Sequence, residues 1–281
     1  MRIRTVDAFT DRAYAGNPAA VVLLDDDRPG AAFPAGFPSD ERLQRLACEM
    51  NLSETAYAHP LSGDPEADWA LRWFTPAAEV GLCGHATLAT AHILREDGLA
   101  EGVLRFRCSS GVLTAATAPG GGNTLNFPTA ALTRADPPAG LADALGAPPV
   151  AVHDTGPLGD LLVELADEQA VRALDPDSTA LRRLPHRGVI VTAPAADPAG
   201  SGYDYVSRMF APAVGIPEDP VTGSAHTALA PLWSARLGKD TLTGLQCSAR
   251  TGTVRTTLLG DRTELTGTAV TVLDAQLRTE F

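Results

Sequence analysis

Positive charge is scarce in this chain. Lys and Arg number 22 against 34 Asp and Glu, for a net charge of −12 at pH 7. Nucleic-acid binding needs clustered basic residues, so that class of function is excluded, as is attraction to an anionic membrane surface. Cysteines are few and scattered: Cys48, Cys83, Cys108 and Cys247 form no C-x-x-C pair and no Cys/His pair at zinc-finger spacing. A disulfide framework is not expected in a chain of 281 residues, and the four are read as thiols in a reducing compartment. No run reaches the roughly 18 apolar residues of a membrane span. The opening stretch, MRIRTVDAFTDRAYAGNP, lacks the apolar centre of a secretion signal, so a cytoplasmic protein is expected. Aromatic residues make up only 5%.

Alternating and apolar segments are abundant. Residues 3–9 and 18–24 read as strands joined by the turn AGNP, and the Asp/Pro/Gly-rich residues 25–38 as a surface loop. Residues 39–50 read as a helix with Ser39 as N-cap and Leu43, Leu46 and Ala47 on one face. ETAYAHP, DWALRWFTP and segments near 103–108, 111–117 and 122–127 read as strands, with a small-residue helix over 84–97. The second half adds a short helix at 139–146 and strands near 149–153, 160–165, 187–193 and 203–210. A helix over 224–238 follows, which Pro231 is expected to kink or break, and then three closing strands. Strands outnumber helices, which favours α+β.

An internal repeat organises the chain. FTPAAEVGLCGHATLATAHIL begins at Phe74 and FAPAVGIPEDPVTGSAHTALAPL at Phe210. Pro76 matches Pro212, and Gly84-His85-Ala86 matches Gly223-Ser224-Ala225 at the entry to an Ala-rich helix. Two similar halves follow, each with a Gly-bearing helix start whose N–H groups can hold an anion. Chance matching of Ala-rich sequence is the bland alternative.

Single residues leave more than one role open. Glu54 is a turn carboxylate or a pocketed proton carrier. Asp219, before Pro220, shapes a turn or orients a substrate group, with Glu218 as its solvated neighbour. Isolated, His85 is more often a surface or core group; beside the repeat it becomes a candidate for proton transfer. Cys83 is a buried small hydrophobe, or a helix-start thiol of lowered pKa. Asn17 forms a turn or lines a pocket, and Arg208 is an ion-pair donor or a pocket residue. Ser224, His85 and Asp219 do not make a serine hydrolase, because TGSAH lacks the G-x-S-x-G elbow, and no local metal-binding pattern is present.

Five ordered blocks, VDAFTDRAYAGNPAAVVLL, EMNLSETAY, RWFTPAAEVGLCGHATLATAHIL, RMFAPAVGIPEDPVTGSAHTALAPLW and ARTGTV…GTAVTVLDAQL, span nearly the whole chain. Together they resemble the phenazine-biosynthesis (PhzF-like) isomerase family. The resemblance implies the diaminopimelate-epimerase-like fold: α+β, two pseudo-symmetric halves, each a curved sheet around a central helix, with the active site in the cleft between them. The expected halves are residues 1–118 with 267–281, and residues 119–266. It further implies cofactor-free chemistry without metal, a small and anionic substrate, and a homodimer. Glu54 of NLSET falls on the family's acid/base residue, and His85, Asp219 and Ser224 on its substrate-contacting histidine, aspartate and serine. Gly84 and Gly223 fall on the glycines beside the substrate-holding amides. Cys83 falls on the first thiol position of related two-base epimerases, while Pro220 stands near where the second would be. The expected activity is an isomerase that moves a proton and a double bond, in specialised-metabolite biosynthesis. Its alternatives are an amino-acid racemase or epimerase using Glu54 or Cys83, and a non-catalytic binding protein of the same fold.

Overall fold

The structure is a computed structural model that describes residues 1–24 and 36–278. Most of the expected loop over 25–38 therefore lies outside the described residues. The chain divides into two compact units, one of Met1–Asn126 with Thr266–Phe281 and the other of Phe127–Leu265.

In chain order the first unit contains β1 (Arg2–Ala8), β2 (Asn17–Leu23), α1 (Asp40–Met50), β3 (Glu54–Pro60), β4 (Trp69–Phe74), β5 (Glu79–Val80) and α2 (Gly84–Glu96). β6 (Leu104–Cys108), β7 (Gly111–Thr117) and β8 (Asn123–Pro128) follow. The second unit runs through β9 (Thr133–Ala135), α3 (Leu141–Leu145), β10 (Ala151–Asp154), β11 (Asp160–Glu164), α4 (Glu168–Arg172), α5 (Ser178–Leu181), β12 (Gly188–Pro194) and α6 (Pro198–Ser201). It continues with β13 (Tyr205–Ala211), β14 (Ile216–Asp219), α7 (Gly223–Leu237), β15 (Thr241–Gln246), β16 (Gly252–Leu259) and β17 (Arg262–Gly267). β18 (Ala269–Gln276) pairs antiparallel with β1. Four strands, not the expected three, close the chain after α7. The short β5, β9 and β14 had too few residues to show a period.

The two units repeat one order of strand pairing. β1–β2 is antiparallel, β2–β3 parallel, β3–β4 and β4–β5 antiparallel, β4–β6 parallel and β6–β7 antiparallel. β10 to β16 go through the same steps: antiparallel, parallel, antiparallel, antiparallel, parallel, antiparallel. α2 follows β5 as α7 follows β14.

Both long helices are buried on nearly every side. α2 packs against β1, β2, β3, β7 and β18, and Ala86, Leu88, Ala89, Ala91, Ile93 and Leu94 are all buried. Alanine and threonine keep such a helix thin enough for strands to approach it around most of its circumference. In the second unit the strands are buried on both faces. Leu161, Val163, Val189, Val191 and Phe210 meet Leu145, Val171 and Leu181 of the short helices. The alternate residues Leu162, Ile190, Tyr205 and Met209 meet Ala225, Leu229, Leu232 and Trp233 of α7. Each such aliphatic side chain removed from water contributes roughly 1.5–3 kcal/mol.

Pro231 lies inside α7 and the helix runs on to Leu237, so of the expected kink or break the break does not occur. Proline lacks the N–H that would bond the Thr227 carbonyl. That carbonyl instead accepts the Ala130 N–H at 3.2 Å. At α1, Ser39 occupies the N-cap position but its side chain caps nothing. Its carbonyl accepts from Arg42 and Leu43 instead.

An arginine fork recurs in each unit. Arg72 on β4 clasps Glu79 on β5 at 2.8 and 2.7 Å and lies 5.1 Å over the Phe74 ring. Arg208 on β13 clasps Glu218 on β14 at 2.7 and 2.9 Å and lies 4.8 Å over Phe210. Of the two roles left open for Arg208, the ion-pair role is the one seen. Glu218 is its partner, not a solvated neighbour. Arg208→Lys loses the planar fork. It is expected to lower stability by about 1–3 kcal/mol, read from urea denaturation. Gly16, at φ +65°, precedes Asn17, and a Cβ there would stand 2.2 Å from the Ala8 carbonyl oxygen. Gly16→Ala is expected to cost about 1–3 kcal/mol in the same measurement, because the β1–β2 turn must shift.

Candidate active site

Three N-termini converge at one end of the first unit. β2 and β3 are parallel, with Ala19 opposite Glu54, so both strands start at the same end. Asn17 opens β2 and Glu54 opens β3. α2, packed on both strands, begins at Gly84 with Cys83 at its N-cap. α1 sets the approach to Glu54: Asn51 ends it in the left-handed conformation, φ 49°, with its N–H on the Ala47 carbonyl. Tyr57 of β3 then donates to the Leu43 carbonyl at 2.7 Å, fastening α1 to the strand.

This geometry brings Asn17, Glu54, Cys83, Gly84 and His85 together. Glu54 is 8% exposed, His85 5%, Cys83 6% and Asn17 fully buried. His85 Nε2 stands 3.1 Å from Glu54 Oε2. The two atoms are nevertheless off the line of a hydrogen bond, and each is buried without another partner. On the opposite side of the ring, Asn17 Nδ2 donates to His85 Nδ1 at 3.3 Å and Cys83 Sγ lies 3.6 Å away. Ser53 Oγ donates to Asn17 Oδ1 at 3.0 Å. A donor on Nδ1 leaves the ring proton on Nε2, facing Glu54.

Electrostatics separates the imidazole from the thiol. Burial alone would lower the His85 pKa, but negative charge at the Cys83 and Glu54 positions raises it well above its ordinary value. Burial pushes the Cys83 thiol up to about 11, with the Glu54 carboxylate adding to the effect. Near neutral pH Cys83 is thus a thiol, so the charge that would raise the His85 pKa most is absent, and the Asn17 N–H on Nδ1 marks the ring as neutral. The lowered pKa considered for a helix-start cysteine does not hold, because desolvation outweighs the helix dipole.

Asp219, Gly223 and Ser224 belong to the second unit. Asp219 ends β14 and its Oδ2 accepts from Thr222 Oγ1 at 2.5 Å. Thr222 is the N-cap of α7, which Gly223 opens, and its side chain makes no cap bond to the helix. Gln246, the last residue of β15, binds this turn three times: Nε2 donates to the Asp219 carbonyl at 2.7 Å and to Thr222 Oγ1 at 3.1 Å, and Oε1 accepts the Thr222 N–H at 2.8 Å. Ser248 Oγ donates to the Pro220 carbonyl at 2.8 Å.

Ser53 and Gln246 were missed as site residues. Ser53 was readable only as a local turn former, although it directly precedes Glu54. Gln246 had no signal beyond a polar residue ending a strand.

The family described as phenazine biosynthesis-like protein matches residues 6–275. An uncharacterized isomerase of Pseudomonas aeruginosa is 46% identical over 99% of this chain and 98% of its own. Another, from Halalkalibacterium halodurans, is 43% identical over 98% of this chain and 97% of its own. The crystal structure of a PhzF-family phenazine biosynthesis protein from Enterococcus faecalis superposes with a TM-score of 0.86 at 36% identity, covering 98% of this chain and 99% of that one. The chain therefore belongs to the phenazine biosynthesis-like family and, like those bacterial relatives, is an isomerase.

Proposed function

We propose that this isomerase moves a proton, and with it a double bond, on a small carboxylate-bearing or conjugated metabolite, with Glu54 as the general acid/base. The observation that carries the reading is the buried Glu54 Oε2, 3.1 Å from His85 Nε2 and without a hydrogen-bond partner of its own. A carboxylate oxygen that is desolvated and unoccupied is available to take a proton from carbon. Glu54 would remove a proton from a carbon acidified by a neighbouring carbonyl or conjugated system and return it to another carbon on the same face. His85, aligned by Asn17 and Ser53, would donate from Nε2 to the polar group on which negative charge develops.

Within the second unit, Asp219 and Ser224 are assigned to polar substituents of the substrate on the strength of the family resemblance. The hold of Gln246 and Ser248 on the Asp219–Thr222 turn supports this, since a group that orients a substrate must itself be held. The α7 start adds backbone N–H groups suited to an anionic group. Asn17, fully buried against His85, is read as a positioning residue and not as a substrate contact. A role in specialised-metabolite biosynthesis belongs to the same reading.

A two-base racemase using Cys83 is less well supported, because a thiol pushed up to about 11 and set beside a carboxylate is a poor base near neutral pH.

Turnover of conjugated acids in D2O, read by mass spectrometry, tests the assignment. Glu54→Gln is expected to lose about 10²–10⁴-fold in both turnover and deuterium incorporation. Undiminished exchange in that variant would remove Glu54 as the base. Cys83→Ser is expected to keep turnover within about tenfold of the parent, the cost of repacking one buried position amounting to no more than ~1.4 kcal/mol. Severe loss there, together with chiral inversion of an amino acid and no bond migration, would favour the racemase.

A further inference from the structure

The same corner offers a second chemistry. Glu54, Cys83 and His85 each present one donor atom, and the three atoms lie within 4.8 Å of one another. In a tetrahedral zinc site, bonds of about 2.0–2.3 Å place neighbouring ligand atoms roughly 3.3–3.8 Å apart. Glu54 Oε2 and His85 Nε2, 3.1 Å apart, would open slightly, and the Cys83 sulfur, now 3.6 Å from Nδ1, would swing round toward Nε2. Both of these oxygen and nitrogen atoms are buried without a hydrogen-bond partner, a defect that a shared cation would repair.

The donor types select the ion. One thiolate, one imidazole and one carboxylate suit a zinc-like cation, whereas Mg²⁺ and Ca²⁺ take oxygen sets. The outer shell fits as well. An ion on Nε2 requires the ring proton on Nδ1, and a half-turn of the Asn17 amide presents Oδ1 to that proton. Ser53 can then accept from Asn17 Nδ2 as readily as it now donates to Oδ1.

We infer that Glu54, Cys83 and His85 form an inhibitory site for a thiophilic divalent cation. On binding, the S–H bond of Cys83 breaks, a sulfur–metal bond forms and the thiol proton leaves to solvent. The imidazole proton moves from Nε2 to Nδ1, and Glu54 can no longer accept one. The site stands on its own geometry. Its inhibitory effect rests on Glu54 being the base.

Co²⁺ added to the reduced, tag-free protein is the probe. One equivalent is expected to produce a thiolate-to-cobalt charge-transfer band in the near ultraviolet, abolished by excess Zn²⁺. Cys83→Ser should lose the band and Cys48→Ser should keep it. Glu54→Gln should weaken binding by roughly tenfold or more, since even an outer-shell loss costs that much. Zinc-edge X-ray absorption on the unmutated protein avoids any question of variant folding. It should show one sulfur at about 2.3 Å with nitrogen and oxygen neighbours. No charge-transfer band, a band that survives Cys83→Ser, or two or more sulfurs around zinc would overturn the site. Tight binding that leaves deuterium exchange unimpaired would overturn the inhibition alone. Absence of exchange with every substrate tested would count against the base assignment, while the cobalt spectrum would still decide the site.

Discussion

A carboxylate and an imidazole taken out of water together must answer for each other's charge. Glu54 and His85 are in that position, and the first unit is arranged around keeping them there. Parallel pairing of β2 and β3 puts Asn17 and Glu54 at one end of the sheet. A helix thin enough to be enclosed brings His85 to the same end. Asn17 and Ser53 then fix which ring nitrogen faces the carboxylate. Each step constrains the next: without the left-handed residue at Asn51 the strand would not begin at Glu54, and without Gly16 the turn would not deliver Asn17.

The second unit applies the same framework to different side chains. Where the first unit has Cys83 at the helix N-cap and His85 in the first turn, the second has Thr222 and Ser224. Its buried histidine, His226, occupies the place of Thr87. Both of those side chains donate to the N-cap carbonyl, Thr87 to Cys83 at 2.6 Å and His226 to Thr222 at 2.9 Å. Burial lowers the His226 pKa to about 4, so it remains neutral and structural. The paired arginine forks hold the hairpin that leads into each helix. One architecture thus supplies a protonatable corner in one unit and a tightly held acidic turn in the other.

Much of this was legible from the amino-acid order. The α+β class, both long helices and most strands followed from period and punctuation, and the family from the ordered motifs that carry Glu54 and His85. Features set by distant partners were not legible. Nothing around Pro231 announces that Ala130 will take the carbonyl it frees. Glu218 looked solvated because Arg208 reaches it only once β13 and β14 pair. Cys83 sits where a helix dipole acidifies a thiol, but its pKa depends on burial, which local sequence does not report. The repeat was read from Phe74 and Phe210 onward, two residues after the arginines that make it mechanically useful.

The proline in α7 has a dynamic consequence. By leaving the Thr227 carbonyl open, it ties the Ala130 amide to the middle of a buried helix. That amide lies in a connecting segment between β8 and β9, where exchange with solvent hydrogen is ordinarily fast. Here its release requires only that the segment part from α7. Ala130 thereby becomes a reporter, placed outside the helix, of how often that segment lifts off it.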